Sequence, residues 1–105
     1  MPSKPFRFHP QAREEFQNAG GWYRARNPIA ASEFRLVASA AVREIVQAPH
    51  RNAKYLHGTR RLIMQRRLIM QRFPFSIVYL DDPDVVTIIA VAHSKRKPGY
   101  WRDRL

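Results

Sequence analysis

The sequence predicts a small α+β domain with a short N-terminal strand, a helical hairpin and then a three-stranded antiparallel sheet segment, in the order β-α-α-β-β-β. Three observations carry this expectation. Two apolar stripes at helical spacing are separated by a single Asn-Pro break; two β-branched and aromatic runs flank an acidic turn; and 105 residues is a length for one compact core, taken as a single domain over residues 1–105.

Phe6-Arg7-Phe8-His9 alternates apolar and polar side chains, as a strand with one buried face does, and Pro10 ends it and suits the first position of a helix. Ala12, Phe16, Ala19 and Tyr23 then fall on one helical face. Gly20-Gly21 interrupts this stripe. Each glycine costs about 1 kcal/mol relative to alanine in a helix interior, so the pair is expected either to end the helix early or to mark a place of close packing. Asn27-Pro28 is a restart, because Asn accepts backbone N–H bonds as an N-cap and Pro fits the first helical turn. Phe34, Val37, Ala38, Ala41, Ile45 and Ala48 trace the second stripe as far as Pro49.

Residues 49–59 have a loop composition. Beyond them, residues 75–80 and 85–92 are strand-like runs joined by Asp81-Asp82-Pro83-Asp84, an antiparallel hairpin. The second run is apolar almost throughout, which predicts a central strand covered on both faces.

Arg61-Leu62-Ile63-Met64-Gln65-Arg66 is followed at once by an identical Arg67-Leu68-Ile69-Met70-Gln71-Arg72. A perfect repeat of this size reads as a recent tandem duplication or an engineered insertion, and not as a solenoid period, which needs roughly 20–50 residues and several copies. Its even length preserves the facing of every side chain in a strand, and it adds ~20 Å if fully extended. The strand expected from Phe75 to Leu80 is too short to pair with all of it. One copy either loops out at the turn, extends the strand as an overhang, or pairs with a second chain as a homodimer through the duplicated strand.

Lys and Arg number 19 against 8 Asp and Glu, a net charge of +11, which favours a polyanionic surface or an acidic protein partner. Arg outnumbers Lys by 15 to 4, a bias toward bidentate recognition of phosphate and carboxylate. The absence of cysteine excludes disulfides, thiolate metal sites and a cysteine nucleophile, and points to a reducing cytosol. No apolar run reaches the ~18 residues of a membrane span, so no membrane partner is expected. His50 and His57 have no carboxylate between them, which makes a metal site unexpected, and no cofactor fingerprint is present.

From Arg51 to Arg72 there are seven Lys or Arg and no carboxylate, and from Lys95 to Arg104 there are five against one. His93, Lys95, Arg96, Lys97, Tyr100 and Trp101 crowd together where the buried strand leaves the core. RNA cleavage needs a base, cations for the phosphorane charge and an acid for the leaving oxygen. His93 suits base or acid, Arg72 and Arg96 suit phosphate clamps, and Tyr100 suits a stacking surface or acid. The alternative is structural: His93 as a hydrogen-bonded strand end, with Tyr100 and Trp101 capping the core.

The ordered set of residues resembles the RelE/ParE superfamily of toxins from bacterial type II toxin–antitoxin systems. The resemblance rests on Phe8-His9-Pro10 with Ala12 and Glu15, Trp22-Tyr23, Phe34, Pro49 and Arg60-Arg61. It continues through Arg72-Phe73-Pro74-Phe75-Ser76-Ile77-Val78-Tyr79, Ile89-Ala90-Val91-Ala92-His93, Arg96-Lys97-Pro98-Gly99-Tyr100-Trp101 and Arg104. It implies a stable toxin neutralised by an acidic antitoxin. The tail resembles the plasmid-stabilisation, ParE-like branch, which implies DNA gyrase or an equivalent target. A RelE-like ribosome-dependent mRNA endonuclease is the alternative, with Arg72, His93, Arg96 and Tyr100 as its catalytic set. In either case Arg60, Arg61, Arg66, Arg67, Lys95, Lys97 and Trp101 are the expected nucleic-acid or target-binding residues. An inactive basic remnant that only binds antitoxin or nucleic acid is the third reading.

Overall fold

A computed structural model describes residues 4–65 and 72–105, and for Gln65 and Arg72 it describes the backbone. Six main elements follow in chain order: β1 (Phe6–Phe8), α1 (Pro10–Arg26), α2 (Pro28–Gln47), β2 (Arg60–Gln65), β3 (Arg72–Asp81) and β4 (Val86–His93). Short 3-10 turns occupy Pro49–Arg51, Leu56–Gly58 and Arg102–Arg104. The strands form one sheet in the order β1-β4-β3-β2. The expected antiparallel segment is β2-β3-β4, and β1 adds to its free side in parallel, with Phe6 opposite Val86 and Phe8 opposite Ile88.

The first helix starts where His9 turns its ring back to accept the Gln11 N–H on Nδ1, at 3.1 Å, with Pro10 in the first turn. It does not stop at Gly20-Gly21. Neither glycine marks a close approach, since a Cβ at Gly20 would meet nothing within 4 Å and one at Gly21 only the Arg24 guanidinium at 3.8 Å. What carries the helix onward is anchoring beyond the pair: Tyr23 packs against Phe34 (5.3 Å between ring centroids) and Phe73 (5.5 Å). Aromatic burial of this kind contributes a few kcal/mol, enough to offset the roughly 2 kcal/mol cost of two glycines.

Asn27 makes the restart. Its Oδ1 accepts from the N–H groups of Ile29 (3.1 Å) and Ala30 (3.2 Å), and Pro28 sits in the first turn. The stripe of α2 then buries Phe34, Val37, Ala38, Ala41 and Ile45 against the sheet and α1.

The third strand begins at Arg72, earlier than the expected Phe75, and runs through Pro74. Proline is tolerated there because its nitrogen is directed to the β4 side just past His93, the last residue of that strand, so no bond within the β3–β4 ladder is lost; on the other side the register between β2 and β3 shifts, with Ile63 opposite Ser76 and then Gln65 opposite Arg72. The carbonyl of Pro74 accepts the Ser94 N–H at 2.7 Å, and Phe73 stays buried. Thus the first copy of the repeat supplies β2 as far as Gln65, and the second contributes Arg72 to β3. Whether the surplus loops out, overhangs or pairs with another chain is a question about residues 66–71, which lie outside the described residues.

Strand β4 is central and covered on both faces, as its composition predicts. Helices cover one face; on the other, Val78, Ile89 and Ala90 pack under Trp101 from the C-terminal tail. Val78 lies opposite Ala90 and Tyr79 opposite Ile88, which leaves Ile89 as the extra residue of a β-bulge.

Candidate functional site

Strand β1 covers β4 only as far as Ile88. Past that point the edge of β4 is closed by side chains. Glu15, on the inward stripe of α1, accepts the Val91 N–H on Oε1 at 3.1 Å. Arg104, from the last turn, donates Nη1 to the Ile89 carbonyl at 3.0 Å and both Nη1 and Nη2 to Glu15, at 2.8 and 3.0 Å. The Tyr100 hydroxyl donates to Glu15 Oε2 at 2.5 Å. Glu15 therefore serves as a hub that fastens the tail to α1 and to the bulged strand, and a bidentate Arg–carboxylate pair is among the stronger side-chain contacts available.

The electrostatics follow from this geometry. Burial, and then the hydrogen bond to the Glu15 carboxylate, raises the Tyr100 hydroxyl above its ordinary value of 10.0. The hydrogen bond to Glu15 likewise raises Arg104, against the smaller opposing effect of burial. Tyr100 thus stays protonated and committed to Glu15. Two cations lie over its ring, with the Arg96 guanidinium carbon 4.0 Å from its centroid and that of Arg104 5.2 Å away.

Around this support lies a cleft of about 370 Å³ formed by β2, β3, the end of β4 and the tail. Arg61, Arg96 and Lys97 bring cations to it, His93 lines it at the strand end, and Tyr55, Tyr100 and Trp101 give aromatic walls. Among the described residues, no carboxylate lines it. Arg61 is held over the Tyr55 ring at 4.1 Å, which orients its guanidinium without neutralising it.

His93 accepts the Lys95 N–H on Nδ1 at 3.0 Å and stands edge-on to Phe75 at 5.1 Å. An imidazole that accepts on Nδ1 carries its proton on Nε2, so in this arrangement it offers the cleft a donor and not a base.

The cleft unites Arg61, His93, Arg96, Lys97, Tyr100 and Trp101 of the residues expected from sequence. Trp101 is only 1% exposed, so it underpins the tail and offers no stacking surface. Arg60 faces elsewhere, donating to the Asn52 carbonyl at 2.7 Å, and Lys95 is solvent-exposed outside the cleft lining. Arg66 and Arg67 lie outside the described residues, as does the side chain of Arg72. The functional roles of Glu15, Arg104 and Tyr55 are not legible from residue spacing alone. One signal does point to Glu15, a carboxylate on an apolar helical stripe, which needs a buried partner.

Among the described residues, no group of three His, Asp or Glu could hold a metal ion, and no helix is long and apolar enough to cross a membrane. None of the curated proteins matches the chain. In structure it is similar to a chain of the chromosomal ParDE toxin–antitoxin system from P. aeruginosa, with a TM-score of 0.70 and 16% identity, over 87% of this chain and 96% of that one. At that identity the likeness speaks to the fold. Residues 6–98, most of the chain, match the family described as the ParE toxin of the type II toxin–antitoxin system, parDE. The protein with this clasped tail and basic cleft belongs to the ParE toxin family of type II toxin–antitoxin systems.

Proposed function

We propose that this toxin acts in the cytosol by gripping a target of the DNA gyrase kind through its basic cleft, and that an acidic antitoxin neutralises it. The single observation that carries the reading is the commitment of the Tyr100 hydroxyl to Glu15. A general acid must release its proton to the leaving group, and burial together with a carboxylate acceptor makes Tyr100 a poor one. With the His93 Nδ1 accepting the Lys95 N–H, the two proton-transfer candidates of the nuclease reading, His93 and Tyr100, are both engaged in local hydrogen bonds. What stays available is binding chemistry: Arg61, Arg96 and Lys97 around aromatic walls, suited to carboxylates or phosphates on a partner.

The test is induction in a bacterial host, with DNA supercoiling and ribosome-bound mRNA followed in the same culture. Lost supercoiling or double-strand breaks with intact mRNA is the expected result. On this reading Tyr100→Phe and His93→Ala keep toxicity while Arg61→Glu and Arg96→Ala remove it. Codon-linked mRNA cleavage that disappears in His93→Ala would instead establish the ribonuclease. Normal supercoiling, intact mRNA and normal growth would point to a basic remnant without toxicity.

A further inference from the structure

Past the point where Glu15 and Arg104 close its edge, strand β4 still offers backbone groups. Arg61 donates its N–H to the Ala53 carbonyl at 3.2 Å, on the side away from β3, so Arg60 and Leu62 face β3 and their partners Tyr79 and Ile77 face β2. Ser76 and Val78 therefore face β4, opposite Ala92 and Ala90. Val91 and His93 are thereby turned outward, in keeping with the Val91 N–H that reaches Glu15. The His93 carbonyl accepts the Arg96 N–H at 3.0 Å. The Val91 carbonyl and the His93 N–H remain as neighbours on this edge, with no partner among the described residues.

Val91 and His93 line a slot of about 420 Å³ between α1, the end of β4 and the tail. Trp22, Phe75 and Tyr100 give it aromatic walls. The Arg26 guanidinium lies over the Trp22 ring at 4.2 Å, and Trp22 stays 53% exposed. On the α1 side stands the Asn18 amide, which has no hydrogen-bond partner among the described residues. Glu15 also lines the slot, with its charge matched by Arg104. Phe75, His93, Arg96 and Tyr100 line both this slot and the basic cleft, so the two adjoin across Arg96.

We propose that the slot and the basic cleft together bind a purine nucleoside di- or triphosphate, with the base in the slot and the phosphates on Arg96, Lys97 and Arg61. A strand carbonyl and the N–H two residues further on match the adjacent donor and acceptor on the hydrogen-bonding edge of a nucleobase, and aromatic walls suit its faces. Three aromatic side chains around a slot of this size favour the larger, purine ring system. Three cations gathered in one cleft suit phosphates joined on a single nucleotide, whereas along a nucleic-acid strand the charges come one to a residue. The site goes beyond the target-binding reading above, and its test makes no use of toxicity, so either can fail without the other.

The test titrates the full chain with ATP, GTP, CTP and inorganic tripolyphosphate by calorimetry and follows hydrogen exchange of the His93 backbone amide by NMR. ATP or GTP is expected to bind at least tenfold more tightly than CTP or tripolyphosphate, and to slow exchange at His93 at least tenfold where tripolyphosphate does not. Trp22→Ala, at an exposed position, should weaken binding of the purine nucleotide at least tenfold and leave that of tripolyphosphate unchanged, while Lys97→Glu should weaken both. Nucleotides that bind no more tightly than tripolyphosphate, or that leave the His93 amide exchanging as in the free protein, would overturn the base slot. CTP as tight as ATP and GTP would overturn the choice of a purine. Absence of binding at millimolar nucleotide would overturn the site, and single-stranded DNA or RNA that protects the His93 amide where ATP and GTP do not would overturn the mononucleotide in favour of a strand. The comparisons on the parent chain decide these points even if Trp22→Ala alters its circular dichroism.

Discussion

Glu15 shares its stripe of α1 with Ala12, Phe16 and Ala19, so the helix delivers a carboxylate into a half-buried place where it must be matched. Arg104 and Tyr100 match it, and the match ties the last residues of the chain to the first helix. Glu15→Gln keeps the shape but leaves Arg104 without its counter-charge. It should lower stability by about 2 kcal/mol, less than the 3–5 kcal/mol typical of a fully buried broken pair because Glu15 retains 19% exposure of its side chain. Urea unfolding of both proteins measures this. The pH dependence has a definite sign. Because the folded chain holds the Tyr100 proton above 10.0, the unfolded chain loses its proton first, and stability falls as pH rises past that value. Tyr79 adds to the same trend, since burial raises it too. Tyr100→Phe should cost about 1 kcal/mol at neutral pH, for the lost hydrogen bond, and should flatten the alkaline decline. An alkaline limb as steep in the variant as in the parent would assign it to other groups.

At the scale of elements, the long first helix carries two glycines that its tertiary contacts override. Since nothing would touch a Cβ at Gly20, Gly20→Ala should stabilise the chain by about 0.8 kcal/mol, raising the melting temperature by about 4 °C. A fall in melting temperature would mean that the helix needs the pair. The glycines show where local reading stops: propensity can price them, but the anchoring of Tyr23 on Phe34 and Phe73 is a matter of tertiary packing. Asn27-Pro28 was legible because cap and first turn are local chemistry, and β4 because burial on both faces leaves an unbroken apolar run. The clustering of Arg96, Lys97 and Tyr100 was legible as neighbours in sequence. The parallel pairing of β1 with β4, the bulge at Ile89 and the clasp on Glu15 join residues far apart in the chain, and no periodicity encodes them.

For the whole molecule, the open question posed by the sequence is the repeat, and the ladder register supplies a sharp test. Every described pair between β2 and β3 uses residues 60–65 and 72–79. Because the two copies are identical, deleting residues 66–71 yields the same chain as deleting either copy, and it removes no residue from any of those pairs. Gln65 and Arg72 would then become the central residues of a two-residue turn, between Met64 and Phe73, both of which are buried. Neither has the glycine or asparagine that such turns favour, so the turn should cost some of the roughly 1 kcal/mol or less gained by closing a shorter loop. The net change in stability should stay within about 1 kcal/mol, and the deletion variant should melt cooperatively with the parent's circular dichroism and amide exchange pattern in β3 and β4. Arg61, Arg96 and Lys97 remain in place around the cleft, so toxicity should persist as well. A deletion variant that loses its cooperative melt would show that the second copy is part of the folded sheet. One that folds normally but gains toxicity the parent lacks would show that the duplication silences the cleft.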